Sequence, residues 1–557
     1  MRSQLKDVLE RLSLHSVESV QDGNSLSAFD EYMHVERPIE GELRSRMRAI
    51  ERSGGGIVLL VGSAGDGKSH LISRMRKEFS WGDECFYNDA TASSSPRKDA
   101  IATLKEALVE YKDINLGSTC RKLVLAINLG KLNAFIDDEE VKKDYSCIVK
   151  ASVPIFDEDD TTPPEESDRI KVVLFTDEQI FEFHPDNESE YPVSSSFISL
   201  ILEKIASRDE DNPFYRAYKM DIQNEMRMQE PCIINYELLQ IAAVRKTIEM
   251  SLIEAIVRYK LLITPREFLD FIYSIIVHPQ IDRHNFTKNN YLEALLPTLL
   301  YEGTRNLINN AVSKLDPFKY SNLQHDEILS CLFTSLSIPE DYLPECGCEL
   351  PRDMVDMINK LYDNNGRDIT RVVKFVYRLG HVLNYHSECK DYISYLNLLR
   401  NLFRGEINEV MQEMDELVNG TIPRHSASYY DKQNMIPLNT QGSMYRLFTN
   451  LQIELNEIPD NLFNPNSKTR FFIRFMLAWS VKGETVKLQM DYQLYTYLQD
   501  LKRGKLAVSY ENDKHIGFSS FLRDLTALCE SSSPITIVRV DNKELTLMEK
   551  YKSIFLQ

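Results

Sequence analysis

The segment Gly62-Ser63-Ala64-Gly65-Asp66-Gly67-Lys68-Ser69 constrains this chain more than any other. It fits G-x-x-x-x-G-K-[ST] without a mismatch. The apolar run Ile57–Val61 precedes it, and His70-Leu71-Ile72 opens a helical pattern after it. A strand, a glycine-rich turn and a helix in that order gather backbone N–H groups and the positive end of a helix dipole around one point. Phosphate oxygens are what such a point attracts. Lys68 would set its charge against the β- and γ-phosphates, and the Ser69 hydroxyl would ligate magnesium. The expected cofactors are ATP and Mg2+, held by Gly62–Ser69 with His70 beside them.

The surroundings of the loop predict a fold. Gly54-Gly55-Gly56 loosens the backbone ahead of the first strand. Strand-like runs follow at 84–88, 123–128 and 171–176, alternating with helical runs at 68–79, 98–111 and 131–139. Such alternation predicts an α/β P-loop NTPase core, an AAA+-like parallel sheet with helices on both faces. The expected order is a helical segment over 1–53, the ATPase core over 54–235, a helical domain over 236–420 and a mixed helical and β region over 421–557. Within these, 238–263 reads as one long helix, with a polar break near 420–440. Thr264 caps another helix with Pro265 at its first position. Ile535–Val540 and Glu544–Leu547 read as a β-hairpin. The stretch FDEDDTTPPEESD, 156–168, has nothing to bury and is expected to be a disordered loop.

Hydrolysis calls for acids at the tip of a second strand, to hold magnesium through water and orient the attacking water. Two strand tips compete. Leu123–Asn128 ends in an amide, which can ligate but cannot act as a base. Val172-Val-Leu-Phe-Thr-Asp177-Glu178 ends in two acids. Asp177 and Glu178 are taken as catalytic acids, with Asp177 also on the metal, and Asn128 as a polar sensor beside the γ-phosphate. A third polar tip, Asn88-Asp89, follows the second strand. Arg266, after Thr264-Pro265, is a candidate sensor arginine; Arg371 and Arg378 share a helix face and could serve in trans, but nothing in their spacing singles them out. Cys346, Cys348, His386 and Cys389 together offer four zinc ligands, although buried free cysteines and a surface histidine explain them equally well.

Composition removes other classes. The 557 residues carry 65 Lys and Arg against 84 Asp and Glu, a formal net charge of −19. Coating nucleic acid by charge needs the opposite balance. No run approaches the roughly 18 apolar residues of a membrane span. The first residues, MRSQLKDVLERLSLHS, carry charges where a signal peptide needs an apolar core, and nine cysteines are scattered without a framework. The expected location is the cytoplasm.

Several phrases in sequence order, GDGKSH (65–70), YNDAT (87–91), AINLG (126–130), TPREFLDFIY (264–273), LDP (315–317) and KLQMDY (487–492), resemble the DptF family. These are the F components of DNA phosphorothioation-dependent restriction systems. The resemblance runs from about residue 40 to the C-terminus. It implies an ATP-binding subunit that works with two partner restriction proteins on DNA lacking the phosphorothioate mark. The acidic balance adds that DNA would enter through those partners. A homo-oligomer is compatible with this reading. Two other readings stay open: an oligomerising signalling ATPase not acting on DNA, and a small-molecule kinase. Some 350 residues beyond the core favour work between proteins over a kinase's short lid.

Overall fold

A computed structural model of the chain describes residues 3–21, 27–88, 100–156, 166–175, 180–184, 191–227, 229–285, 287, 290–320, 323–334, 350, 352–363, 369–426, 435–437, 444–449, 455–457, 474–481, 484–505, 514–527, 535–539, 544–550 and 553–556. The chain divides into two compact units. One comprises Met1–Glu182 with Ser194–Glu388, the other Phe183–Val193 with Cys389–Gln557.

In the first unit, helices α1 (Gln4–Gln21), α2 (Ala28–Met33) and α3 (Pro38–Arg52) lead into strand β1 (Gly56–Gly62). Then come α4 (Lys68–Glu78), β2 (Phe86–Asn88), β3 (Lys122–Asn128) and β4 (Ile170–Leu174). All pairings among these strands are parallel, in the order β2-β3-β1-β4. Every residue of β1 is buried, because both faces of the sheet are covered. Ile57, Leu59 and Val61 share one core with Leu125, Ile127, Leu132 and Phe135. Val58 and Leu60 point the other way, into a core with Leu43 and Met47 of α3 and Leu71 and Met75 of α4. Each such side chain contributes about 1.5–3 kcal/mol by leaving water. An uninterrupted apolar run is therefore what a central strand requires.

The strand order carries a consequence. From β1 the chain crosses to the far edge at β2, returns to β3 beside β1, then passes to the opposite flank at β4. β1 stands where the direction of winding reverses, and the carboxyl ends of strands at such a reversal open a crevice.

Helices follow. The expected single helix over 238–263 is two: Pro231–Leu239 ends, and Ala242–Tyr259 begins after Ile241 in extended backbone (φ −77°, ψ 125°). Arg245 explains the break, since its Nη1 donates to the carbonyls of both Leu239 and Gln240, at 3.0 and 2.8 Å. These are acceptors that an unbroken helix would have used itself. The helix Pro265–Ile276 starts as expected, with a capping box between Thr264 and Glu267. In the acidic stretch, 157–165 lie outside the described residues, while Glu166 accepts from Arg46 Nη1 at 2.7 Å and from the Val172 N–H at 3.1 Å.

In the second unit the helix Ile407–Ser426 carries on through Gly420, so it continues into the expected polar break. Ile535–Arg539 and Glu544–Lys550 pair antiparallel as the hairpin reading requires. They belong to a five-stranded sheet that also contains Met444–Thr449, Met435–Pro437 and Ser553–Leu556. Trp479, fully buried, donates its indole N–H to Asp415 Oδ1 at 2.9 Å. Among the described residues, no helix is long and apolar enough to cross a membrane.

Candidate functional site

β1 ends at Gly62 and α4 begins at Lys68, and the turn between them closes on itself. Gly65 and Gly67 take left-handed backbone, φ 88° and 93°, which a side chain would oppose. The Asp66 carboxylate, 1% exposed, accepts the Ser63 N–H at 2.5 Å across the turn. Lys68, 5% exposed, donates its ammonium to the Ser63 carbonyl, also at 2.5 Å. Two charge-assisted bonds thus hold the curl before any ligand contributes.

Strand tips surround this turn. Asn128 pairs in register with Gly62, so β3 delivers its amide directly beside the loop. Its Oδ1 is buried and has no hydrogen-bond partner among the described residues. Asn88, at the tip of β2, donates its side-chain N–H to Ser69 Oγ at 2.8 Å. On the other flank, the residue after β4, Phe175, packs so close that a Cβ on Gly62 would lie 2.8 Å from it.

A cavity of about 330 Å³ opens over the loop. Gly65, Gly67, Lys68, Ser69, His70 and Asn128 form one wall, and Pro265 and Arg266 line it from the start of their helix. His34, Val35 and Arg37, between α2 and α3, close another side with Phe197 and Ile201. The capping box at Thr264, whose hydroxyl donates to Glu267 Oε2 at 2.9 Å, fixes where Arg266 stands.

Beside Ser69, His70 Nε2 lies 3.1 Å from His34 Nδ1, and His34 Nε2 lies 3.3 Å from Glu40 Oε2. Glu40 Oε1 meets Arg74 Nε at 3.1 Å and Arg44 Nη2 at 3.3 Å. Burial works to raise the Glu40 carboxyl, but His34 and Arg74 outweigh it and hold it down to about 2. An ionised carboxylate therefore joins the N-terminal segment to α4.

The structure thus brings together Gly62–Ser69, His70, Asn128 and Arg266. Asp177, Glu178 and Asp89 lie outside the described residues. Arg378 is 3% exposed and doubly bonded to Asp316, at 3.1 and 2.7 Å, within its own unit. Arg371 pairs with Glu293 at 2.8 Å. Cys346 and Cys348 lie outside the described residues, and His386 Nε2 faces Glu388 at 3.1 Å. Among the described residues, no group of three or more His, Cys, Asp or Glu would hold a metal. Sequence reasoning missed His34, Glu40 and Arg37. No motif marks them, and only the Arg37-Pro38 dipeptide signals a fixed backbone.

Comparison with family models, with curated proteins and with solved structures finds no match to this chain.

Proposed function

We propose that the chain binds ATP with Mg2+ through a phosphate-binding P-loop at Gly62–Ser69, in a core of the AAA+ type. The observation that supports this reading most is the loop itself, pre-curled by Asp66 and Lys68 between a buried parallel strand and a helix N-terminus, under a 330 Å³ cavity. Lys68 would exchange the Ser63 carbonyl for phosphate oxygens, and Ser69 would ligate the cation. Bound Mg2+ would neutralise charge developing on the phosphates. Asn128, whose oxygen has no hydrogen-bond partner among the described residues, and Arg266, across the cavity, are suited to sense the terminal phosphate. Asp177 and Glu178 remain the proposed acids for hydrolysis.

The wider role proposed is that of an ATP-binding subunit in a DNA phosphorothioation-dependent restriction complex, coupling nucleotide state to partner subunits. That proposal is supported by the ordered phrases from GDGKSH to KLQMDY. Titration calorimetry on wild type and Lys68→Ala tests the nucleotide reading. Loss of at least tenfold in ATP affinity is expected, and equal affinities would overturn it. Co-purification at moderate salt tests the role, since isolation with no partner subunits or DNA would count against it.

A further inference from the structure

Arg37 stands where the N-terminal segment meets the loop. It precedes Pro38, which occupies the first turn of α3 and confines Arg37 to extended backbone, φ −113° and ψ 154°. It occupies the N-cap position of α3, yet its side chain makes no capping bond. Instead Nη2 donates to the Asp66 carbonyl at 2.9 Å. The guanidinium lies 5.3 Å from the ring centre of Phe175, after β4, and 5.9 Å from that of Phe197, in the helix Ser196–Ala206. Cation–π contacts of this kind orient a guanidinium as well as attract it. A half-buried arginine, directed by its own backbone and by two rings, is aimed at one peptide of the loop.

The choice of peptide matters. In a trans peptide the C=O and N–H point in opposite directions. A donor that pins the Asp66 carbonyl therefore turns the Gly67 N–H away from Arg37, and a cationic donor also polarises that N–H. We propose that Arg37 is a positioning residue for phosphate binding: it sets the Asp66–Gly67 peptide so that its N–H serves the ligand. Occupancy of the loop is thereby tied to the α2–α3 connection and to the ends of two further elements. The inference rests on the nucleotide reading and adds a residue to it from outside the motif.

The experiment compares wild type, Arg37→Ala and Arg37→Lys by titration with ATP and with inorganic tripolyphosphate, alongside ligand-free thermal unfolding. Arg37→Ala is expected to weaken both ligands by the same factor, roughly tenfold, the scale of one charge-assisted hydrogen bond. Arg37→Lys should recover most of that loss, because an ammonium can donate to the same carbonyl. Unchanged affinity in Arg37→Ala overturns the inference, and so does a loss confined to ATP, which would place Arg37 on the base side. If Arg37→Ala does not fold, Arg37→Gln against Arg37→Lys decides, since equal affinities in that pair remove the need for charge. A wild-type chain that binds neither ligand overturns the nucleotide reading itself, which separates the two failures.

Discussion

Asn88 gives its side-chain N–H to Ser69 Oγ across 2.8 Å, although Asn88 ends β2 while Ser69 lies in α4, the helix that follows β1, and β3 stands between β2 and β1 in the sheet. A hydroxyl that ligates a cation uses an oxygen lone pair and passes its proton to an acceptor. An amide donating to that oxygen competes for the lone pair. An acid at the same place would accept instead.

Asn88→Asp is therefore expected to raise the magnesium-dependent part of ATP affinity by about an order of magnitude, as one charge-assisted hydrogen bond would. Metal-free affinity should fall slightly, from added negative charge. Titrations with and without Mg2+ measure both. Equal magnesium dependence in wild type and variant would show that Asn88 only props the loop.

Turnover distinguishes the strand tips. If Asp177 and Glu178 are the acids, Glu178→Gln should abolish phosphate release while ATP stays bound. If the Asn128 position governs hydrolysis, wild-type turnover should be very slow and Asn128→Asp should raise it. Unchanged rates in both variants would discard both assignments.

Acid should weaken the first unit through His381. Its Nε2 lies 2.8 Å from the His386 carbonyl, so Nε2 carries the proton, and Nδ1 accepts from the Tyr301 hydroxyl at 2.9 Å. Burial, reinforced by the charge of His386, pushes its pKa down to about 4. The unfolded chain takes up this proton near the ordinary histidine value of 6.5, whereas the folded chain refuses it. The stability concerned is complete above pH 6.5 and is lost progressively as pH falls from 6.5 to about 4, on the order of 3 kcal/mol in all. Urea midpoints at several pH values should decline more steeply in wild type than in His381→Asn. Parallel slopes would contradict the assignment.

The isolated chain should not bind bare duplex DNA with sub-micromolar affinity at about 150 mM salt, where weak exposed contacts are screened. Among its small basic clusters, Lys502-Arg503-Gly504-Lys505 is already engaged: Arg503 Nη1 meets Asp391 at 2.8 Å, and Lys505 meets Asp500 at 3.5 Å. An electrophoretic shift assay checks this. Tight binding would reveal a basic groove within the acidic total.

Much of the site was legible because its determinants are local. Gly65 and Gly67 are needed where backbone φ is positive, and Ile57–Val61 must be apolar because both faces of β1 are covered. The Thr264–Glu267 capping box depends on residues three apart, so TPRE announces it in any context. Parallel alternation, the loop and the helix start at Arg266 all follow from such short-range rules. The break at 240–241 was not legible, since an apolar helical period runs through it and only the folded position of Arg245 diverts the carbonyls.

What the sequence alone determined is the chemistry available: a loop able to hold phosphates, amides at two strand tips, and an arginine at a helix start. Tertiary structure decided which of these meet. The order β2-β3-β1-β4 brings Asn88 to Ser69 and leaves Asn128 beside Gly62, its oxygen without a hydrogen-bond partner among the described residues. Folding of the N-terminal segment onto the loop brings Arg37 to Asp66, 29 positions away in sequence, and Glu40 to Arg74. Sequence spacing carries no record of such pairs, because winding order and packing of distant apolar faces set them, not the preference of any residue for its neighbours.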